Sequence, residues 1–259
     1  MKPQRTIGVV IPCFDDTVLL RRCLTAFARQ TTPPDEIVVV DNGSADDSAA
    51  VAAEFGARVV DEPRRGITWA TRTGFDASAC DVKLRTDADV RPAPEFVEKL
   101  HAAWDDADAN PGPAHCQREV VGVTGSGRFE PPGMWGRLTT AMYLGAYRAS
   151  VGAALGHQPF FGANFAPSAV PGGRTCAAAS ISPTSRSTRT CTCPSPSGPT
   201  RPCGCSRIWR SPWIRALVGA RQVLRRFRRG AHTIAVNRRD ETSPQRLGAR
   251  GLLPAAMTR

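Results

Sequence analysis

The sequence of 259 residues lacks any apolar run approaching the roughly 18 residues that a membrane-spanning helix needs. Residues 1–6 lead straight into an apolar segment and contain no signal-peptide core. We therefore predict no spanning helix and expect a cytoplasmic protein. The length suits one α/β domain with a substantial core, or two small domains.

Lysine is scarce, with 3 residues against 31 arginines, and carboxylates are missing from residues 167–213. That segment contains six arginines, so it supplies +6 of the net charge of +11. Strong basicity often indicates a nucleic-acid partner or an anionic membrane. Because so much of the excess charge lies in one segment, we expect no nucleic-acid partner here.

The nine cysteines predict neither a disulfide framework nor a zinc site. Four of them stand singly in the first half of the chain, as reduced cytosolic cysteines do. The closely paired ones are separated by a single residue, whereas structural zinc sites usually place two to four residues between paired cysteines. These pairs are Cys191 with Cys193 and Cys203 with Cys205.

Strand and helix patterns alternate through the first hundred residues. Apolar β-branched residues predict strands over residues 7–12, 37–40 and 58–60, and the segment Val82-Lys83-Leu84-Arg85-Thr86 predicts a further strand over 82–86. Periodic segments predict helices over residues 17–30, 46–55 and 66–79, the second of them capped by Ser44. The order βαβαβαβ implies a parallel sheet with right-handed crossovers.

The rest of the chain is less regular in pattern. We predict helices over residues 95–104 and 134–154, a strand over 120–124, and a glycine-containing strand or turn over 160–166. Residues 214–229 predict a basic amphipathic helix. Its arginine face is expected to be solvated, and the alternative is peripheral contact with an anionic bilayer on the cytoplasmic side.

Acidic side chains follow three of the predicted strands. Asp15 comes after the first strand, Asp41 ends the second, and Asp87 and Asp89 follow the strand over 82–86. The carboxyl ends of parallel strands meet at one edge, where ligands bind. An Asp-x-Asp there can hold a divalent cation against a diphosphate, which indicates a nucleotide-sugar enzyme. No Gly-x-Gly-x-x-Gly follows the first strand, which argues against a dinucleotide-binding oxidoreductase.

Three segments, taken in order and at their separations, resemble inverting family 2 glycosyltransferases of the GT-A fold. They are residues 9–16, residues 37–44 and Asp87-Ala88-Asp89, and the resemblance covers about residues 6–166. It implies an α/β fold with a Rossmann-like, mixed but mostly parallel sheet flanked by helices, and an irregular C-terminal part. It also implies a nucleotide-diphospho-sugar donor, inverting transfer to an acceptor hydroxyl, and a Mg²⁺ or Mn²⁺ ion.

The resemblance assigns donor-binding roles in the first half of the chain. Pro12, Phe14 and Asp15 are expected to pack round the base and ribose. Asp41 matches the carboxylate that contacts the base. Its alternative role is to end the strand and cap the following turn.

The diphosphate and metal roles fall on later residues. The resemblance assigns Asp87 to the donor and the metal, and Asp89 to the metal. Residues 64–66 and Arg72 lie on the segment that runs under the donor phosphates in the family. Arg72 is expected either to contact a phosphate or carboxylate or only to form a salt bridge.

Gly162, Ala163 and Asn164 resemble the turn that borders the acceptor site in the family, and the alternative is a tight turn after an apolar strand. Sugars, lipid-linked molecules and small molecules are all expected acceptor classes. After residue 166 the family has an acidic pair whose carboxylate acts as general base. No carboxylate is present over residues 167–213, so the catalytic base is absent from the chain as written.

A change of reading frame accounts for the composition of residues 167–214. With GC-rich codons, residues 186–200 read one frame over encode VHEDMHLSFAFGPD, which contains a Glu-Asp pair followed by ordinary protein sequence. We hypothesise that the segment is translated out of frame. The alternative function is a catalytically impaired nucleotide-sugar-binding remnant that lacks the base.

The predicted organisation has four parts. Residues 1–100 form the nucleotide-sugar-binding half of a GT-A domain, and residues 101–166 form its acceptor-side half. Residues 167–213 are an anomalous segment of low order, and residues 214–259 are a basic amphipathic helix and tail.

Overall fold

The computed structural model describes most of the first half of the chain and selected later segments. The described residues are 4–109, 122–125, 128–130, 164–170, 174–175, 192–195, 198–202, 206–209 and 213–216, with helical positions 134, 138, 141, 142, 145, 146 and 149. Those single positions lie inside the helix predicted over 134–154. No helix among the described residues is long and apolar enough to cross a membrane.

The strands and helices predicted for the first hundred residues are all present. The helices are α1 (Thr17–Ala28), α2 (Ser48–Glu54), α3 (Ile67–Ala77) and α4 (Phe96–Ala109). The strands are β1 (Ile7–Cys13), β2 (Glu36–Asp41), β3 (Arg58–Asp61), β4 (Val82–Thr86) and the short β5 (Arg91–Pro92).

Several predicted helix ends were wrong by a few residues. Helix α1 ends at Ala28. The Gln30 amide donates to the carbonyl oxygen of Phe27, three residues earlier, in place of the four-residue spacing of an α-helix. Helix α2 begins at Ser48 rather than after Ser44, so Ser44 is not its N-cap. The Ser44 amide and hydroxyl instead both donate to the Asp41 carboxylate, which holds this residue in the preceding turn.

The described residues after α4 contain nine further strands. They are β6 (Gly122–Gly125), β7 (Arg128–Glu130), β8 (Asn164–Pro167), β9 (Ala169–Val170), β10 (Arg174–Thr175), β11 (Thr192–Ser195), β12 (Gly198–Pro202), β13 (Ser206–Trp209) and β14 (Trp213–Ala216). The helix predicted to begin at Ile214 does not begin there. Backbone pairing of β14 with β5 and β7 places these residues in a strand despite their helical periodicity.

A mixed seven-stranded sheet organises the molecule, in the order β13-β6-β8-β4-β1-β2-β3. Strand β1 lies between β2 and β4 and is parallel to both, and β2 is parallel to β3. Strand β8 is antiparallel to its neighbours β4 and β6. This arrangement confirms the α/β class with a mostly parallel sheet.

The sheet is covered on both faces, as a parallel sheet requires. One face packs against α1, α2 and α4 through a large apolar cluster that includes Ile7, Val9, Ile11, Leu24, Phe27, Leu84, Leu100 and Trp104. The other face packs against α3 through Val10, Val38, Val40, Ala70 and Phe75. Helix α3 approaches closely because residue 74 is glycine: a Cβ atom there would lie 2.3 Å from Cγ1 of Val10.

Candidate functional site

The carboxyl ends of β1, β2 and β4 meet at one edge of the sheet. Cys13, the last residue of β1, stands in register with Asp41, the last residue of β2. Strand β4 runs parallel on the other side of β1 and is followed by Asp87. The structure therefore brings the three predicted strand ends to a common edge.

Side-chain hydrogen bonds join the loop after β1 to the loop after β2. The Asp15 amide donates to Oγ of Ser44 at 3.1 Å, and the Ala45 amide donates to Oδ1 of Asp15 at 2.7 Å. The Thr17 amide donates to Oδ2 of Asp46 at 3.0 Å. Asp15 has a φ of 50°, an uncommon backbone conformation for a residue other than glycine. Its carboxylate therefore ties the two loops together, and its contact with ribose stays a prediction.

Asp41 caps the turn at the end of β2. Its Oδ1 atom accepts hydrogen bonds from the Ser44 amide at 2.9 Å and the Ser44 hydroxyl at 2.6 Å. This is the alternative role anticipated for Asp41. The side chain is also partly exposed at the edge, and its contact with a base stays a prediction.

An aromatic–guanidinium pair lies beside this loop junction. Cζ of Arg65 is 3.9 Å from the ring centroid of Phe14, whose side chain is 43% exposed. The same guanidinium lies next to Gly43, where an added Cβ would be 3.8 Å from Nε of Arg65. Pro12 is partly exposed one residue before the end of β1. The pair forms a flat, cationic surface of the kind on which planar ligands stack.

Buried Glu62 organises the loop between β3 and α3. Its side chain is 2% exposed. The carboxylate accepts two hydrogen bonds from the Arg64 guanidinium, at 2.7 and 2.6 Å, and a third hydrogen bond from the Thr73 hydroxyl. Nδ2 of Asn42 donates to the backbone carbonyl oxygens of Glu62 and Arg64, while Oδ1 accepts from the Gly66 amide. These bonds fix the backbone that carries Arg65.

The two other arginines of this region have structural partners. Arg64 pairs with Glu62, and its Cζ atom lies 4.0 Å from the ring centroid of Trp69. Nε of Arg72 lies 3.6 Å from Oδ2 of Asp76, one helical turn later. The salt bridge that was the alternative for Arg72 is therefore present, and its phosphate contact stays a prediction.

The Glu62 brace predicts an acid-sensitive loop. Hydrogen bonds from Arg64 lower the pKa of Glu62 from 4.5 to about 2. A lowered folded-state pKa contributes stability above pH 4.5 that is lost as the pH falls toward 2. We expect E62Q to unfold at lower urea concentration than the wild type near neutral pH, with a difference that shrinks toward pH 2. Urea unfolding across this pH range measures it, and a difference that does not depend on pH would contradict the prediction.

Asp87 and Asp89 lie in the tight turn that follows β4. The Val90 amide donates to the carbonyl oxygen of Asp87 at 3.1 Å, which closes the turn. Oδ1 of Asp87 forms an ion pair with Nη2 of Arg85. The side chains of Arg85 and Asp87 are 6% and 14% exposed. Sequence patterns gave no reason to expect this buried ion pair.

Asp16 is a further acidic residue of the edge that the sequence reasoning did not select. It stands at the N-terminus of α1. Burial raises its pKa, and the negative charges of Asp89, Asp46, Asp15 and Asp87 raise it further. Asp89 follows β4 and Asp46 follows β2, whereas Asp16 follows β1. The carboxylates of these three loops are therefore close enough to repel one another electrostatically. The position of Asp16, directly after Asp15 and at the start of a helix next to the edge, is the sequence signal that could have identified it.

The donor set at this edge suits a divalent cation that arrives with phosphates. Mg²⁺ is usually held by one or two carboxylates together with substrate phosphates. Asp87 and Asp89 supply two carboxylates in a field that raises the pKa of Asp16. In the described part of the chain, no three Asp, Glu, His or Cys side chains group closely enough to hold a metal by themselves. The residues therefore fit a metal–diphosphate complex.

The acceptor-side prediction is only partly open to inspection. Gly162 and Ala163 lie outside the described residues. Asn164 begins β8, is fully buried, and stands in register with Thr86, the residue before Asp87. Neither polar atom of its amide has a hydrogen-bond partner among the residues that are described. A buried amide therefore lies beside the strand end that carries the acidic turn.

Comparison with known proteins decides the family. The model of "Glycosyl transferase family 2" matches residues 8–142, which is more than half of the chain. The chain belongs to this family. The matched segment contains β1 except for its first residue, the acidic turn after β4, and helix α4.

Individual relatives of this family 2 chain match less than half of it. An undecaprenyl-phosphate 4-deoxy-4-formamido-L-arabinose transferase of Serratia proteamaculans is 33% identical over 110 residues, covering 39% of this chain and 34% of the relative. An uncharacterized glycosyltransferase of Mycobacterium bovis is 39% identical over 99 residues, covering 38% of this chain and 44% of the relative. The match thus spans less than half the length of either relative.

Solved structures show the same fold. Glucosyl-3-phosphoglycerate synthase from Mycobacterium tuberculosis, in complex with phosphoglyceric acid, superposes with a TM-score of 0.55 over 98% of this chain and 83% of the synthase, at 18% identity. A complex of that synthase with Mn²⁺, UDP and glucosyl-3-phosphoglycerate superposes with a TM-score of 0.53, over the same shares of the two chains and at the same identity. The family 2 chain therefore has a GT-A glycosyltransferase fold.

Proposed function

We propose that the chain transfers a sugar from a nucleotide-diphospho-sugar to an acceptor hydroxyl with inversion, assisted by Mg²⁺ or Mn²⁺. The observation that carries this proposal is the common edge, where β1, β2 and β4 deliver acidic side chains in a family 2 chain. The complex of the mycobacterial synthase with Mn²⁺ and UDP supports the same class of donor and cation.

The donor is proposed to lie along this edge. Phe14 and Arg65 offer a planar, cationic surface to the base or ribose, next to Asp41. Pro12 and Asp15 shape the loop that borders them. This surface orients the nucleotide so that its diphosphate points toward the turn after β4.

Asp87 and Asp89 are proposed to hold the divalent cation, with Asp87 also facing the donor. The cation supplies Lewis-acid stabilisation of the leaving diphosphate when it is bound. Arg72 is proposed to contribute positive charge near the phosphates, since its pairing with Asp76 is exposed and therefore weak.

The acceptor is proposed to lie beside β8, bordered by Gly162, Ala163 and Asn164. The buried amide of Asn164 supports this side, because its polar atoms can bind a hydroxyl. A sugar, a lipid-linked molecule and a small molecule are the proposed acceptor classes. The Serratia relative is named for an undecaprenyl-phosphate substrate, which supports a lipid-linked acceptor.

A panel of nucleoside diphosphates tests the donor proposal. Binding of UDP, GDP, CDP and dTDP to the full chain is measured by calorimetry with and without Mn²⁺. We expect one or two of them to bind, at least about tenfold more tightly with Mn²⁺, since the cation is held by carboxylates and diphosphate oxygens together. Absence of binding by all four, in a protein whose circular dichroism shows a folded α/β domain, would overturn the proposal.

The missing carboxylate favours a second candidate function. A chain without a general base would bind donor and metal but transfer poorly, as a nucleotide-sugar-binding remnant. We propose that the cause is out-of-frame translation of residues 167–214. Sequencing of the coding DNA across codons 160–220 tests this: an uninterrupted frame with no alternative reading would refute it.

The proposed location is the cytoplasm. Free, buried Cys13, Cys23 and Cys80 support a reducing compartment. Peripheral contact with an anionic bilayer, the alternative to a solvated face for the helix predicted over 214–229, stays a prediction, because residues 217–229 lie outside the described residues. Co-sedimentation of the chain with anionic but not neutral vesicles tests this contact.

A further inference from the structure

Arg85 is a charged residue in the centre of the sheet. Strand β4 lies between β1 and β8, and Arg85 stands in register with Val10 and Phe165. It is only 5% exposed, on the face that packs against Phe75 and α3. A strand that is covered on both faces is expected to carry an apolar residue at this position. An arginine keeps its charge in proteins, so its burial is costly unless it has anionic partners.

One anionic group that Arg85 contacts is a carboxylate of the proposed metal site. Nη2 of Arg85 is ion-paired with Oδ1 of Asp87, and both side chains are largely shielded from water. Shielding makes charges act on one another more strongly than they do at the surface. The guanidinium therefore holds one oxygen of Asp87 and offsets one of the two negative charges that Asp87 and Asp89 provide.

We propose that Arg85 is a positioning residue that makes metal binding at Asp87 and Asp89 depend on the diphosphate. A divalent cation without nucleotide binds to two carboxylates, and the positive charge of Arg85 already offsets the negative charge of one of them. A cation that arrives with a nucleoside diphosphate carries compensating negative charge, and Arg85 then attracts the complex. This inference rests on the proposed metal site and adds that the metal and the diphosphate strengthen each other's binding there.

Binding of Mn²⁺ to the full chain tests the inference directly. The free Mn²⁺ signal in electron paramagnetic resonance is titrated without nucleotide, and again with the nucleoside diphosphate that the panel selects. For R85M we expect about tenfold tighter binding of Mn²⁺ alone, from removal of a nearby like charge in a shielded site. The factor by which the nucleotide improves Mn²⁺ affinity should shrink by a similar amount.

Lys83 offers a matched control on the same strand and face. It is 3% exposed, and its Nζ atom donates to the carbonyl oxygen of Phe75 at 2.6 Å. K83M removes an equally buried positive charge whose described hydrogen bond is to a backbone oxygen outside the acidic turn. We expect its Mn²⁺ affinity to stay within about twofold of the wild type, since the charge it removes lies farther along the strand from that turn.

A second substitution covers a failure of R85M to fold. R85Q keeps a hydrogen-bond donor toward Asp87 but removes the charge, and the same gain in affinity for Mn²⁺ alone is expected. Folded R85M or R85Q with unchanged or weaker Mn²⁺ affinity would overturn the inference, as would an equal gain in K83M. If the wild type binds Mn²⁺ neither alone nor with nucleotide, the proposed metal site fails and this inference fails with it.

Discussion

A chain whose reading frame is restored over codons 167–214 is expected to transfer sugar about 10²–10⁴-fold faster than the chain as written. With GC-rich codons, the shifted frame would encode a Glu-Asp pair where the written chain has no carboxylate. A carboxylate there could take the proton from the acceptor hydroxyl during attack on the anomeric carbon. Initial rates with the donor selected by nucleotide binding, and a panel of lipid-linked and small acceptors, measure the difference.

The matched control is the restored chain with its Glu-Asp pair changed to Gln-Asn. This variant keeps the restored apolar residues and loses only the carboxylates, so it separates folding from catalysis. We expect its rate to return to that of the written chain while nucleotide affinity stays unchanged. Equal rates for all three chains would show that the segment does not carry the base.

Asp89→Asn is expected to weaken Mn²⁺-dependent nucleotide binding by at least about tenfold. Loss of a residue that hydrogen-bonds to a metal ligand typically costs 10–100-fold in metal affinity. Loss of a ligand itself is expected to cost at least as much. The substitution keeps the size of the side chain and removes its charge. Calorimetry of nucleotide binding with and without Mn²⁺ measures the effect, and binding without Mn²⁺ should change little.

The chain contains its own control for this substitution. Asp106-Ala107-Asp108 repeats the triplet within α4, where Asp108 forms an ion pair with Arg5 at 2.7 Å. D108N removes a partly exposed ion pair, which typically contributes no more than about 1 kcal/mol. It should leave Mn²⁺-dependent binding unchanged. Equal losses in D108N and D89N would point to general electrostatics rather than to a metal ligand.

The sheet and its acidic edge were predictable because their signals are local. Runs rich in β-branched residues gave the positions of β1 and β2, and a shorter mixed segment gave that of β4. The order of strands and helices implied parallel pairing. Parallel pairing alone then brings Asp41 and Asp87 to one edge. The same context separates Asp87-Ala88-Asp89, which follows a strand, from the triplet Asp106-Ala107-Asp108, which lies within α4.

The contacts that hold the edge together were not predictable, because they join residues far apart in sequence. The stacking of Arg65 on Phe14 and the hydrogen bonds from Asn42 to the β3–α3 loop depend on how two loops approach each other. The burial of Arg85 and its ion pair with Asp87 were not predicted for another reason. The strand was recognised from its apolar residues, and these give no partner for the arginine. The strand at 213–216 pairs with distant strands, and the helical period of the local sequence carries no information about that pairing.

The larger apolar cluster has a consequence for how the chain is made. All its buried members except Val123 and Ala166 come from residues 7–107. Because N-terminal units fold first during synthesis, this part can bury most of its core while the ribosome is still translating the remainder. An altered segment downstream is then attached to a unit that has already folded. A change beyond residue 166 is therefore expected to lower the turnover of the enzyme while most of the apolar core still folds.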